Sequence, residues 1–152
     1  MKRICVLGMA AALGAISGPA AEPGFHAQFV GGTMAGTAVK SKARVDLSSS
    51  DALILRSKEG ELRVDYLKIE TIEYGQNVSR RYAEAILISP VLLLAKSRKH
   101  FVTLEYLDDS GHPQALVLRV EKGDIRSVLA GLEARTGRRV EYQDNEARKG
   151  SR

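Results

Sequence analysis

The sequence predicts a mainly β domain with one C-terminal α-helix, a small antiparallel, partly open barrel of about seven strands capped by that helix. Three observations carry this expectation. Short apolar or alternating runs separated by Gly, Asp and Ser turns recur from Ala43 to Tyr74 and again from His100 to Val120. The apolar period then changes to the helical one at Ile125, Val128, Leu129 and Leu132. About 130 residues remain once an apolar leader is set aside, enough for a single core without disulfide or metal.

In chain order, Gln28 to Ala38 joins a β-prone start to Gly31, Gly32 and Gly36, glycines that suit a bend or bulge at a sheet edge. Val45 and Leu47 alternate with Arg44 and Asp46, and residues 48–51 form a turn. Ala52 to Leu55 follows as a strand core. Residues 57–60 reverse the chain into Leu62, Val64 and Tyr66 on one side, with Arg63 and Asp65 on the other. Ile69, Ile72 and Tyr74 belong to the next strand, ended by Gly75, and residues 76–81 read as an exposed polar loop. Residues 100–107 and 115–120 make a hairpin about the turn 108–111, the second strand apolar enough to be buried on both faces. Asp124 is the expected N-cap of the helix and Gly137 lies just past its end, with Arg126 and Arg135 on the solvated side or in its last turns. Val140 to Tyr142 reads as a last short strand, and residues 143–152 as a charged disordered tail.

The chain starts with Met1, Lys2 and Arg3, continues apolar and small from Ile4 to Ile16, and reaches Gly18, Pro19, Ala20 and Ala21. That order is the pattern of a secretory signal peptide over residues 1–21, followed by a linker at 22–27. The expected location is therefore outside the cytoplasm, periplasmic or secreted, in a bacterial envelope. The single cysteine, Cys5, lies inside the leader, in a context unlike a lipoprotein attachment site. Losing the leader would remove Lys2 and Arg3, and so two units of the formal net charge of +5. The remaining mild excess is spread along the chain without Trp and with five Tyr and three Phe, which argues against nucleic-acid binding.

His26, His100 and His112 have no ligand at metal spacing, and no cofactor is expected. The serines at 48–50 lack a nucleophile-elbow context, and Asp108 and Asp109 fit a solvated turn ending in Gly111. The glycines near 31–36 match neither a dinucleotide fingerprint nor a phosphate loop. No catalytic residue is assigned, and the chain reads as a non-enzyme.

The segment that bears most on function is the apolar run at 85–95. As a helix its eleven residues rise about 16 Å, roughly half the ~30 Å of a bilayer core, and Pro90 interrupts it. Burial in a core is one reading. Contact with a membrane or partner is the other, because basic residues flank the run. The candidate contact residues are Arg80 and Arg81, then Ile86, Leu87, Ile88, Val91, Leu92, Leu93 and Leu94, then Lys96, Arg98 and Lys99.

Gly31 and Gly32 near the first strand, the hairpin at 53–66, the strand at 69–74, the hairpin at 100–120 and the helix at 125–132 follow an order that resembles the pleckstrin-homology-like fold over residues 28–142. The resemblance implies two near-orthogonal sheets in a partly open barrel, one end plugged by the amphipathic helix. The leader departs from many members of that family. So does the first loop, where only Lys40, Lys42 and Arg44 stand in place of a lysine-rich segment, so phosphoinositide binding is not carried over. An α+β sandwich, with the helix on one face of a single antiparallel sheet, is the second architecture in view. Function is expected to be that of a non-catalytic exported binding or structural module acting through an unidentified protein or peptide. The alternative is a peripheral membrane-associated domain that uses 85–95 and its basic flanks on an anionic surface.

Overall fold

Alternating side chains with turn residues at regular intervals set the strands of the computed structural model, which describes residues 24–33, 41–78 and 99–150. Strands β1 (Phe25–Gly32), β2 (Lys42–Asp46), β3 (Ala52–Ser57) and β4 (Gly60–Asp65) come first. A 3-10 turn at Tyr66–Lys68 leads into β5 (Ile69–Gly75), and then come β6 (His100–Leu107) and β7 (Pro113–Val120). Helix α1 (Ile125–Thr136), strand β8 (Val140–Tyr142) and the short helix α2 (Asn145–Gly150) complete the order.

The strands form one open sheet in the order β4-β3-β2-β1-β7-β6-β5-β8. Every pairing is antiparallel except β5 with β8, which is parallel. β1 joins the two halves, since residues 25–28 pair with β2 and residues 27–32 pair with β7 across a bulge between Phe29 and Gly31. Gly32 is held close here, because a Cβ on it would stand 2.7 Å from the Ala115 carbonyl oxygen.

One face of the sheet carries the main core. Phe29, Val45, Leu53, Leu55, Ile72, Tyr74, Leu104 and Leu118 meet Ile125, Val128, Leu129 and Leu132 of α1 there. Each fully buried aliphatic side chain is worth about 1.5–3 kcal/mol, which is why the four-residue stripe of α1 fixes the helix on the sheet. A second, smaller cluster of Val30, Phe101, Ala115 and Val117 lies apart from it. The alternation of β1, β6 and β7 puts these residues on the other face of the sheet. Both faces of β7 are thus buried, as its apolar sequence requires.

Several expectations need correction. The strands number eight among the described residues rather than about seven, and the sheet is open, ending in β4 and β8. The eighth strand is the 140–142 segment, returned by α1 in the direction parallel to β5. β1 starts at Phe25, inside the expected linker. Tyr66 sits in the 3-10 turn, where its amide donates to the Asp51 carbonyl at 2.9 Å, and does not continue β4. Asp124 stands at the N-cap position but makes no capping bond, because its carboxylate accepts the His26 amide at 3.0 Å and so ties α1 to β1. Gly137 closes α1 in the left-handed conformation, φ 69°, its amide donating to Glu133. In the segment expected as a tail, α2 forms over Asn145–Gly150, with the Ala147 amide bonded to the Asp144 carboxylate at 2.6 Å and Ala147 fully buried.

Candidate binding groove at the β4 edge

β4 is an end strand because the chain leaves it through the Tyr66–Lys68 turn into β5, which pairs with β6 and β8 instead. Its outer backbone groups therefore have no ladder partner among the described residues. Such an edge accepts an added strand unless it is short, bulged or blocked by proline, and β4 is six residues of regular pairing with β3 without proline.

Beside this edge runs a groove of about 630 Å³. Leu62, Arg63, Val64 and Asp65 form one wall, Lys68 sits at the turn, and Tyr106, Leu107, Asp108, Asp109, Gln114 and Thr33 form the other side. Leu67, in the turn beside Lys68, is 96% exposed, the one large hydrophobic among the described residues that is displayed to solvent.

The charged groups here are already engaged. Asp108 Oδ1 accepts the amides of Ser110 and His112, each at 2.9 Å, while Oδ2 accepts Gln114 Nε2 at 3.0 Å. The His112 amide in particular holds the Asp108 carboxyl below its usual range, so Asp108 anchors the turn. Lys68 Nζ lies 2.5 Å from Asp109 Oδ1, a contact that raises the lysine's pKa. Both groups are open to water, so this pair contributes little to stability. Arg63 lies 3.5 Å from carboxylate oxygens of both Asp51 and Asp65. Burial pushes the Tyr106 hydroxyl up. Thr33 Oγ1 donates to Gln114 Oε1 and accepts the Ala115 amide at 3.0 Å, fixing the β1 end against the hairpin. The arrangement offers main-chain hydrogen bonds, apolar surface and a charged rim, which are the elements of recognition of an extended chain.

Two further depressions of about 600 and 620 Å³ adjoin one another, sharing His26, Lys42 and Ala43. Lys99 and Lys122 line the first and Lys58 the second. Nearby, the His100 ring stacks on Tyr74 with Nδ1 2.5 Å from the Tyr74 hydroxyl oxygen. Burial, and then the Lys122 charge, lower the His100 pKa.

Of the residues expected to make membrane or partner contact, only Lys99 falls among those described. Arg80, Arg81, Ile86, Leu87, Ile88, Val91, Leu92, Leu93, Leu94, Lys96 and Arg98 lie outside the described residues, as does the whole 85–95 run. The β4 groove was not among the sequence candidates. The alternation of Leu62 and Val64 with Arg63 and Asp65 marks a strand, but edge position is a property of topology and leaves no local signal. Among the described residues no group of three or more His, Cys, Asp or Glu is placed to hold a metal ion, and no helix is long and apolar enough to cross a membrane. No protein-family model matches the chain, and no curated protein matches it either.

Proposed function

We propose that the protein is a non-catalytic binding module that takes an extended peptide along the free edge of β4. The observation that carries this reading is a six-residue edge without a ladder partner among the described residues, alongside a groove of about 630 Å³ whose charged side chains are already paired. Strand addition supplies main-chain hydrogen bonds for affinity, and side chains of the guest meet the partly exposed Leu62 and the charged rim of Arg63, Asp65 and Lys68 for specificity. Leu67 supplies an exposed apolar anchor at the turn.

The mainly antiparallel strand order leaves room for a partly open barrel of the pleckstrin-homology-like kind, whose opening would lie between the end strands β4 and β8. The leader-like residues 1–21 support action outside the cytoplasm, in a bacterial envelope. The test is selection of random peptides on the protein, followed by amide chemical-shift mapping. Selected peptides are expected to perturb residues 60–65, Thr33 and Lys68. Failure to select any peptide, or shifts confined to other strands, would refute the reading.

A second reading, contact with an anionic membrane surface, draws on Lys42, Lys58, Lys99 and Lys122 around the two adjoining depressions. It predicts binding to anionic vesicles that weakens with salt and with charge reversal at Lys42, Lys99 and Lys122. Binding unaffected by those changes would rule it out.

A further inference from the structure

The register of the β3–β4 hairpin fixes which groups of β4 face outward. Ser57 pairs with Gly60, Leu55 with Leu62 and Leu53 with Val64, and the same register continues to Tyr66, whose amide donates to the Asp51 carbonyl at 2.9 Å. Hydrogen-bonded pairs alternate along an antiparallel ladder, so Gly60, Leu62 and Val64 turn their amides and carbonyls toward β3. Those of Glu61, Arg63 and Asp65 point to the free edge, at intervals of about 7 Å. Leu55 and Val64 lie in the main core, which puts the side chains of Glu61, Arg63 and Asp65 on the opposite face of the sheet.

The charges along this edge are paired but not matched in number. Arg56 serves Asp46 at 2.7 Å and Glu61 at 3.0 Å. Arg63 serves Asp51 and Asp65, each at 3.5 Å, and Lys68 serves Asp109 and, at 4.0 Å, Asp65. Among the described residues three cations are thus divided among five carboxylates, while Lys58 and Glu59 in the turn cancel. The Glu61 and Asp65 side chains remain 53% and 44% exposed, so both still present carboxylate surface to a further donor. We propose that the strand taken up at β4 is basic on its outer side. Paired antiparallel, it carries Lys or Arg opposite Glu61 and opposite Asp65, four residues apart, with an uncharged residue opposite Arg63. The positions between turn to the other face, where an apolar side chain meets the partly exposed Leu62. A basic residue opposite Arg63 would be repelled, and an acidic one would face Asp51 and Asp65 as well. The basic guest rests on strand addition at β4 and narrows the class of peptide that it admits.

Two peptides capped at both ends, Thr-Lys-Val-Thr-Val-Lys-Thr and Thr-Glu-Val-Thr-Val-Glu-Thr, separate the outcomes when titrated into the full chain, with affinity and amide shifts followed by NMR. The lysine peptide is expected to bind roughly tenfold more tightly and to shift the amides of Glu61, Arg63 and Asp65. Its advantage should vanish when Glu61→Gln and Asp65→Asn are combined. Methylating the backbone nitrogens of its lysines and central threonine should abolish binding, whereas methylating those of the valines should not. Shifts at 61–65 with equal affinity for the two peptides, or with preference for the glutamate peptide, would overturn the basic guest and leave strand addition standing. No shift there with either peptide would overturn strand addition and the basic guest together.

Discussion

Arg56 Nη1 donates to Asp46 Oδ2 at 2.7 Å across the neighbouring strands β3 and β2, and the Asp46 side chain is only 5% exposed. The carboxylate is held first by Ser48, through its side chain and its amide at 2.9 Å, and then by Arg56, which together lower its pKa to about 2. A carboxyl depressed in the folded state stabilises the fold above its unfolded value. That contribution should be lost as pH falls from about 3.8 to about 2, amounting to about 1–2 kcal/mol. Arg56→Ala should raise the Asp46 pKa and move acid unfolding to higher pH, as followed by circular dichroism across an acid titration.

A second prediction concerns the junction of β5 and β8. Gln143 Nε2 donates to Glu73 Oε1 at 2.8 Å, and the same side chain lies across Gly75, where a Cβ would come within 1.9 Å of its amide oxygen. Gly75→Ala should expel Gln143, break that bond and cost roughly 1–2 kcal/mol. Hydrogen exchange should speed up at 140–143 while β1–β4 keep their protection.

The helix is expected to be essential to the core. Leu132 is 1% exposed and belongs to the same cluster as residues of both halves of the sheet, so Leu132→Ala should destabilise the domain by about 2–5 kcal/mol. Denaturant unfolding would measure this. A change much under 1 kcal/mol would mean that α1 does not close the core.

His100 supplies a pH dependence at higher pH. Burial, and then the Lys122 charge, depress its folded pKa below the ordinary histidine value of 6.5. The neutral ring is therefore the form the fold favours. Stability should be flat above about 6.5 and fall as pH drops through that value toward the folded pKa. Lys122→Gln should raise the His100 titration, readable from its imidazole NMR signals.

Much of the fold was legible because its signals are local. The 108–111 turn between two apolar strands and the spacing of Ile125, Val128, Leu129 and Leu132 gave the β6–β7 hairpin and α1. Less legible were features decided by distant partners. Asp124 has the side chain of an N-cap, yet the His26 amide, 98 residues away in sequence, takes its carboxylate. Three residues at 140–142 suffice for a strand because Glu133 Oε1 accepts the Val140 amide at 2.9 Å and β5 stands ready to pair. Likewise nothing in Leu62 or Val64 says that β4 ends the sheet among the described strands, so the candidate groove emerges only with the topology.

The two ends of the sheet are unequal, and that has a consequence for self-association. β8 offers three residues before α2 begins, and the Arg148 guanidinium lies 5.5 Å from the centre of the Tyr142 ring there. β4 offers six. Continuous stacking of copies would need β4 of one molecule to match β8 of the next, and the lengths do not suit each other. Contact between copies through the longer edge would set β4 against β4 about a two-fold axis, an arrangement that closes at a dimer and leaves only the three-residue β8 edges at its ends.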